Sequence, residues 1–383
     1  MDKWSNPING KLVHRNYLDE PAGYLRSIAR AIERRKMMKR IVTVFLLIFF
    51  VVAAFEISSM TSASAVAPEI MEKAKKEGKV VWYTTMPGSG RKAVKKAFEK
   101  KYPLKLEMFQ AGSLDIVGRY QAELSAKRVK VDCLHITDMV FFLDMMEKGN
   151  LLKYDSPEFE AYKGLPKGWV YPGYIVPLRV MPIGSIVNTK YTDWKSIKSY
   201  NDMLKTKFKG TIAAGDVATS TRAYINYYGL RNKYGVGWYK KLVELEAQYY
   251  ESSDKAMNNC LSGEWPILFE AWIYLHYQFG ILKKAPVHSI FPKEGTVVLV
   301  CPNTIMKQAP HPNAAKVFQD FLYSKEGQAT IGKAIGVHSG RSDISAPAGM
   351  PKISEMNVID VDFKYAKAKR KELIEEWRKI SGR

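Results

Sequence analysis

The chain has 383 residues, 46% of them hydrophobic and 12% aromatic, with no low-complexity tract and no internal repeat. This excludes a disordered or repeat protein, and the length exceeds what one hydrophobic core usually organises. The formal charge is +21, but the basic residues are dispersed and no basic-aromatic nucleic-acid motif occurs, so no nucleic-acid partner is expected. The charge agrees with an anionic ligand or surface, and equally with a soluble face rich in lysine.

Residues 1–36 read as a polar leader that need not be translated, since Met37 or Met38 would make a conventional start. Residues 37–65 carry Lys39-Arg40, the apolar stretch Ile41 to Phe55 and the small-residue segment around Ala63-Ser64-Ala65 and Ala65-Val66-Ala67. That is the three-part layout of a secretory signal, and the apolar run is short of the roughly 20 residues a spanning helix needs. A cleaved signal is therefore predicted over a retained anchor, with cleavage after Ala65 or Ala67. Without residues 1–65, which hold ten basic and five acidic residues, the charge is still +16.

From Lys79 the pattern alternates strands and helices: a strand Val80–Thr84, a turn with Pro87, Gly88 and Gly90, a helix Arg91–Lys101, a strand Leu104–Phe109, a helix Leu114–Lys127, a strand Val131–Ile136 and a helix Met139–Lys148. Such alternation predicts a parallel sheet covered by helices. A Pro- and Gly-rich stretch, Pro157 to Pro182, breaks it and marks a crossover between lobes. The extended run Ile183–Asn188 and a helix near Tyr200–Lys207 lead into a second α/β unit. That unit holds strands Thr211–Ala214, Gln248–Glu251 and Pro266–Phe269, with helices near Arg222 and Trp238 and over Asp254–Leu261. A strand Thr296–Cys301 returns the chain, helices Pro312–Tyr323 and Lys325–Ile335 follow, and one charged helix, Phe363–Lys379, closes it. The predicted division is residues 66–175 for the first part of lobe 1, 176–295 for lobe 2, 296–340 for the return to lobe 1 and 341–383 for a C-terminal helical segment. Cys133, Cys260 and Cys301 fit neither a metal spacing nor a disulfide framework. Buried free thiols are expected, with one bridged pair as the alternative in an oxidising compartment.

The local site candidates sit where strands give way to helices. Thr219-Ser220-Thr221-Arg222 follows a strand and opens a helix, where free N–H groups and hydroxyls can hold an anion and Arg222 can clamp it, or where the hydroxyls simply cap the helix. Ser113 lies in a similar position, and Thr84 and Thr85 close the first strand. Gly88-Ser89-Gly90 with Ala93 formally matches a dinucleotide fingerprint, but the acidic residue expected after the next strand is absent, and no such cofactor is expected. No G-x-S-x-G, H-E-x-x-H or Walker A sequence occurs, so no enzymatic activity is expected.

Several phrases together resemble the ferric-ion-type branch of bacterial periplasmic solute-binding proteins of ABC importers. They are Gly78-Lys79-Val80-Val81-Trp82-Tyr83-Thr84, Ala111-Gly112-Ser113, Gly149-Asn150-Leu151-Leu152, Pro177 to Asn188, Phe208 to Ala213, Ala218 to Ala223, Leu261-Ser262-Gly263-Glu264, and Phe318 to Gln328 with Ser324-Lys325-Glu326-Gly327-Gln328. The resemblance spans about Lys79 to Arg341. It implies a two-lobed type II periplasmic binding fold in the α/β class, with ligand held in an interlobe cleft and closure signalled to a membrane permease. Its ferric members bind iron through paired tyrosines with a histidine and a glutamate. Here only Tyr274 stands in the tyrosine region, Thr85-Met86-Pro87 replaces the histidine neighbourhood, and Thr137-Asp138 stands for the glutamate. Iron as transported ligand would rest on Tyr274, with Tyr277, Glu270 or Asp138 to complete the shell. A small anionic solute is the preferred expectation, with Trp272, Tyr274 and Trp169 as aromatic walls. The expected protein is a periplasmic monomer without a resident cofactor, partnered by an ABC permease, or a ligand sensor on the same fold.

Overall fold

The structure, a computed structural model, describes residues 37–38, 66–250 and 252–383. The leader and signal segments therefore lie outside the described residues except for Met37 and Met38. Among the described residues no helix is long and apolar enough to cross a membrane.

Helix α1 (Pro68–Glu77) opens with proline in its first turn and ends on Gly78 at φ 74°, the left-handed conformation that lets the chain turn directly into β1 (Lys79–Thr84). There follow α2 (Gly88–Lys101), β2 (Lys105–Gln110), α3 (Ser113–Ser125), β3 (Cys133–His135) and α4 (Met139–Glu147). β1 pairs in parallel with β2 and β3. The sheet is mixed rather than parallel throughout, because β9 (Thr296–Ile305) returns antiparallel beside β3. This insertion comes from a segment more than a hundred residues distant, which local periodicity does not reveal.

The Pro-rich stretch ends inside β4 (Pro177–Asn188), a strand buried along its whole length. Residues Pro177–Pro182 pair with β9, and Ile183–Asn188 pair with β7 (Ile267–Trp272) and β8 (Val287–Ile290). β5 (Ile212–Gly215) then joins β7 and β6 (Gln248–Tyr250) in parallel, with helices α5 (Thr221–Tyr234), α6 (Val236–Glu244) and α7 (Ser253–Ser262) between them. The strand order is β2-β1-β3-β9-β4-β7-β5-β6, so β4 and β9 are the strands that connect the two halves.

Where a helix is expected near Tyr200, the chain makes only short 3-10 turns at Asn201–Leu204 and Thr206–Phe208. Ser199 and Asp202 bond each other's side chains and the local backbone, which offers the chain an alternative to helical pairing. The terminal helix is likewise two, α10 (Phe363–Ala368) and α11 (Arg370–Ser381), because the Tyr224 hydroxyl takes the carbonyl of Ala366 that a continuous helix would use.

Two aromatic assemblies anchor the halves. Trp82, Phe98, Phe318 and Phe321 meet edge to face or tilted in the first, where α8 (Pro312–Tyr323) and α9 (Lys325–Ile335) cover the sheet. Tyr227, Trp238, Tyr239, Phe269 and Trp377 do so in the second, so α11 is docked by its buried Leu373 and Trp377. Cys133, Cys260 and Cys301 are free and buried.

Candidate functional site

The ends of β1, β2 and β3 lie side by side, Thr84 opposite Gln110 on one flank and His135 on the other. Ligands of open α/β sheets bind beyond such strand ends. Here a cavity of about 320 Å³ opens, walled by Thr85 to Gly88, Arg91, Gln110, Thr137, Arg179 and Met181 on one side and by Asp254, Trp272 and Tyr274 on the other.

Arg179 is the centre of this site. It stands on β4 opposite Cys301 of β9 and is only 2% exposed. Its Nε donates to Nε2 of His135 at 3.1 Å, and its Nη2 donates to Oγ1 of Thr85 at 3.2 Å and to Sγ of Cys301 at 3.5 Å. All these partners are uncharged. A guanidinium can only donate, so Nε2 of His135 accepts and the imidazole carries its proton on Nδ1, which donates to Oγ1 of Thr84 at 2.7 Å. Burial, and then the Arg179 charge, hold the His135 pKa well below its usual value, so the ring is neutral. Among the described residues no carboxylate pairs with Arg179, and a buried guanidinium without a counter-ion is costly unless an anion arrives.

Two further features give the same wall a positive character. α2 starts at Gly88, which lines the cavity, with no side-chain cap and no acidic residue in its first turn, so its first N–H groups have no side-chain acceptor there. Arg91, one turn along, lines the cavity, and its buried Nε has no partner among the described residues.

The opposite wall offers acceptors. The Tyr274 hydroxyl donates to both carboxylate oxygens of Asp254, at 3.2 and 3.1 Å. Asp254 is accessible from the cavity, yet the surrounding protein raises its pKa against the pull of Tyr274 and Arg222. Burial and the Asp254 charge push Tyr274 well above the usual phenol range, which disfavours a tyrosinate at this position. Trp272 stacks on Tyr274 with ring centres 6.4 Å apart.

Of the residues singled out from sequence, the structure places Thr85, Trp272 and Tyr274 in the cavity wall. Thr84 is fully buried behind it, bonded to His135. Ser113 opens α3 and shares a 3.1 Å hydrogen bond with Thr137, which does line the cavity. Asp138 caps α4 by accepting from Phe141 N at 3.0 Å. Thr219 is exposed in a turn organised by Asp216, Ser220 caps α5, and neither they nor Thr221 and Arg222 line this cavity. Arg222 is instead 4% exposed, turned beneath Trp272. Trp169 is in the hydrophobic core with Ile175, and Tyr277 covers Gly336 and donates to Lys333 O. Glu270 is fully buried.

Sequence reasoning missed Arg91, Gln110, Arg179 and Asp254. The one local signal for the first was the Gly88-Ser89-Gly90 turn, which frees backbone N–H groups at a helix start whether or not a dinucleotide is bound.

Residues 93–357 match the family model for bacterial extracellular solute-binding proteins. The chain belongs to this family. A solute-binding protein of this kind is the substrate-capturing component of an ABC transporter, and the family and its structural neighbours are binding proteins rather than enzymes. The solute-binding chain is 25% identical over 339 residues to an uncharacterized protein of Haemophilus influenzae, covering 84% of this chain and 96% of that one. Its fold is similar to iron-bound HitA from Pseudomonas aeruginosa, with TM-score 0.67 and 17% identity over 79% of this chain and 99% of that one. It is also similar to the periplasmic binding protein AfuA from Actinobacillus pleuropneumoniae with fructose-6-phosphate bound, with TM-score 0.68 and 24% identity over 80% and 99%. These likenesses give the solute-binding protein the two-lobed periplasmic binding architecture, with β4 and β9 as its connecting strands.

Proposed function

We propose that this binding protein works in the periplasm as a monomer, capturing a small organic anion, of the phosphorylated or carboxylated class, and handing it to its permease. The observation that carries this reading is Arg179, a buried guanidinium facing the cavity whose partners among the described residues are all neutral. The α2 start and Arg91 add donors for the same anionic group, and a cavity of about 320 Å³ suits a small solute. Asp254, Gln110 and Thr137 would take hydroxyls on the remainder of the solute. Binding of fructose-6-phosphate by AfuA supports this reading.

Native mass spectrometry of protein purified without refolding is expected to show a retained organic anion. Calorimetry against fructose-6-phosphate and related esters should then give a one-to-one complex. A coloured stoichiometric ferric complex that bleaches in Tyr274→Phe would instead establish iron as the cargo. For the exported form, N-terminal sequencing should begin at Val66 or Pro68, and recovery of the intact apolar segment in membranes would show an anchor.

A further inference from the structure

Beneath the cavity floor lies a group of buried polar atoms without partners among the described residues. Among the described residues, both Nη atoms of Arg222 find no hydrogen-bond partner, and the same holds for Oε2 of Glu270, Oδ1 of Asn226 and Oγ of Ser253. Arg222 and Glu270 are 4% and 2% exposed. They crowd the same space beside Gly215, where a Cβ would stand 2.8 Å from Nη2 of Arg222 and 3.1 Å from Oε2 of Glu270. They nevertheless form no ion pair. Glu270 is held back at φ 61°, with Asn226 Nδ2 donating to its Oε1 at 3.0 Å and the Tyr239 hydroxyl at 3.5 Å. The Arg222 guanidinium carbon lies 5.3 Å from the Tyr250 ring centre and 5.8 Å from that of Trp272, and Trp272 is cavity wall. One aromatic ring therefore separates this charge from the ligand space.

We propose that Arg222 and Glu270 are positioning residues that set the affinity of the cleft for its anion from beneath Trp272: with Glu270 ionised the two charges cancel, and with Glu270 protonated the Arg222 charge acts on the ligand. The proposal rests on the anionic reading of the cavity. The groups facing Glu270 are Arg222 and Asn226 of α5, Tyr239 of α6, the Gly215 backbone of β5, Tyr249 and Tyr250 of β6, and Tyr200. Each of these four tyrosines is held above the usual phenol range, chiefly by burial, so among the described residues Arg222 is the charge beside Glu270. Burial raises the Glu270 pKa to about 7, opposed first by Arg222 and then by its hydrogen bonds. As pH falls through that value Glu270 takes up a proton, the net charge under the floor becomes positive, and anion affinity rises.

Inorganic sulfate is the suitable probe, because its charge stays constant between pH 5.5 and 8.5. Calorimetry on the intact protein is expected to show sulfate bound roughly three- to tenfold more tightly at pH 5.5 than at pH 8.5, as for a unit charge near the site at intermediate dielectric. Glu270→Gln should bind at both pH values with the affinity of the acidic form. In the wild type, the Glu270 carboxyl followed by 13C NMR should titrate at higher pH when sulfate is present, by linkage. A slope that persists unchanged in Glu270→Gln would assign it to Asp254 and overturn the proposal. Sulfate binding at no pH would overturn the anionic reading, and this proposal with it. Binding that is weakened in Arg179→Met yet pH-independent in the wild type would overturn this proposal alone.

Discussion

Replacing Arg179 by methionine is expected to weaken binding of the anionic solute by roughly a hundredfold or more. The side chain is already desolvated and is held by His135, Thr85 and Cys301 in one orientation, so the ligand meets a prepared donor. A charge-assisted hydrogen bond contributes about 1.5–3 kcal/mol, and truncating one partner of a buried charge pair costs about 2–5 kcal/mol. Methionine fills much of the arginine stem and contacts the neighbouring Met181 and Cys301 without demanding a counter-ion. The ligand-free melt is therefore expected to change little, because removal of the uncompensated buried charge offsets the loss of the donors to His135 Nε2 and Thr85. Calorimetry with the solute identified by native mass spectrometry, paired with that melt, reads both effects. Affinity that survives the substitution would remove Arg179 from the binding machinery.

Gly327→Ala is expected to be among the most destabilising single substitutions in the chain. A Cβ at this position would stand 1.9 Å from the carbonyl oxygen of Phe321 and 3.1 Å from that of Leu322. Both are backbone atoms, so relief requires α8 and α9 to separate. Overpacking of this severity costs roughly 3–4 kcal/mol, which in a chain of this size lowers the melting midpoint on the order of 5–10 °C. Gly332 in the same helix is the control, since its Cβ would approach nothing closer than 3.7 Å. Gly332→Ala should leave the melt unchanged or raise it slightly. Equal melts for the two variants would refute the close approach at Gly327.

The same segment shows why so much of the fold was legible. In Ser324-Lys325-Glu326-Gly327-Gln328, Ser324 caps α9 by accepting from Gly327 N, Gly327 admits the preceding helix, and Gln328 donates to Leu178 O on β4 and Leu322 O. A short phrase thus encodes a cap, a crossing and a tertiary tie, each with its own residue requirement. Strand and helix periodicity likewise located most elements, because each buries one face against the sheet. The site was harder. Arg179 sits among apolar strand residues with nothing local to distinguish it, and its meaning depends on His135, Thr85 and Cys301 arriving from three other strands or strand ends. Asp254 reads as an ordinary first-turn acid until Tyr274 is brought beside it. The Thr219–Arg222 run has the local chemistry of an anion site, yet tertiary packing turns Arg222 inward under Trp272. Local chemistry identifies candidate groups, whereas their direction is set by contacts that lie far away in the chain.

The pairing of β4 with β9 has a mechanical side. Pro177 faces Pro302, and Pro182 faces Val298, so the stretch of ladder that carries the chain between halves contains backbone positions with no N–H to donate. Such a ribbon is continuous, but it is thinned at its proline positions. A rotation of one half against the other would be opposed there by fewer backbone hydrogen bonds than an unbroken ladder provides.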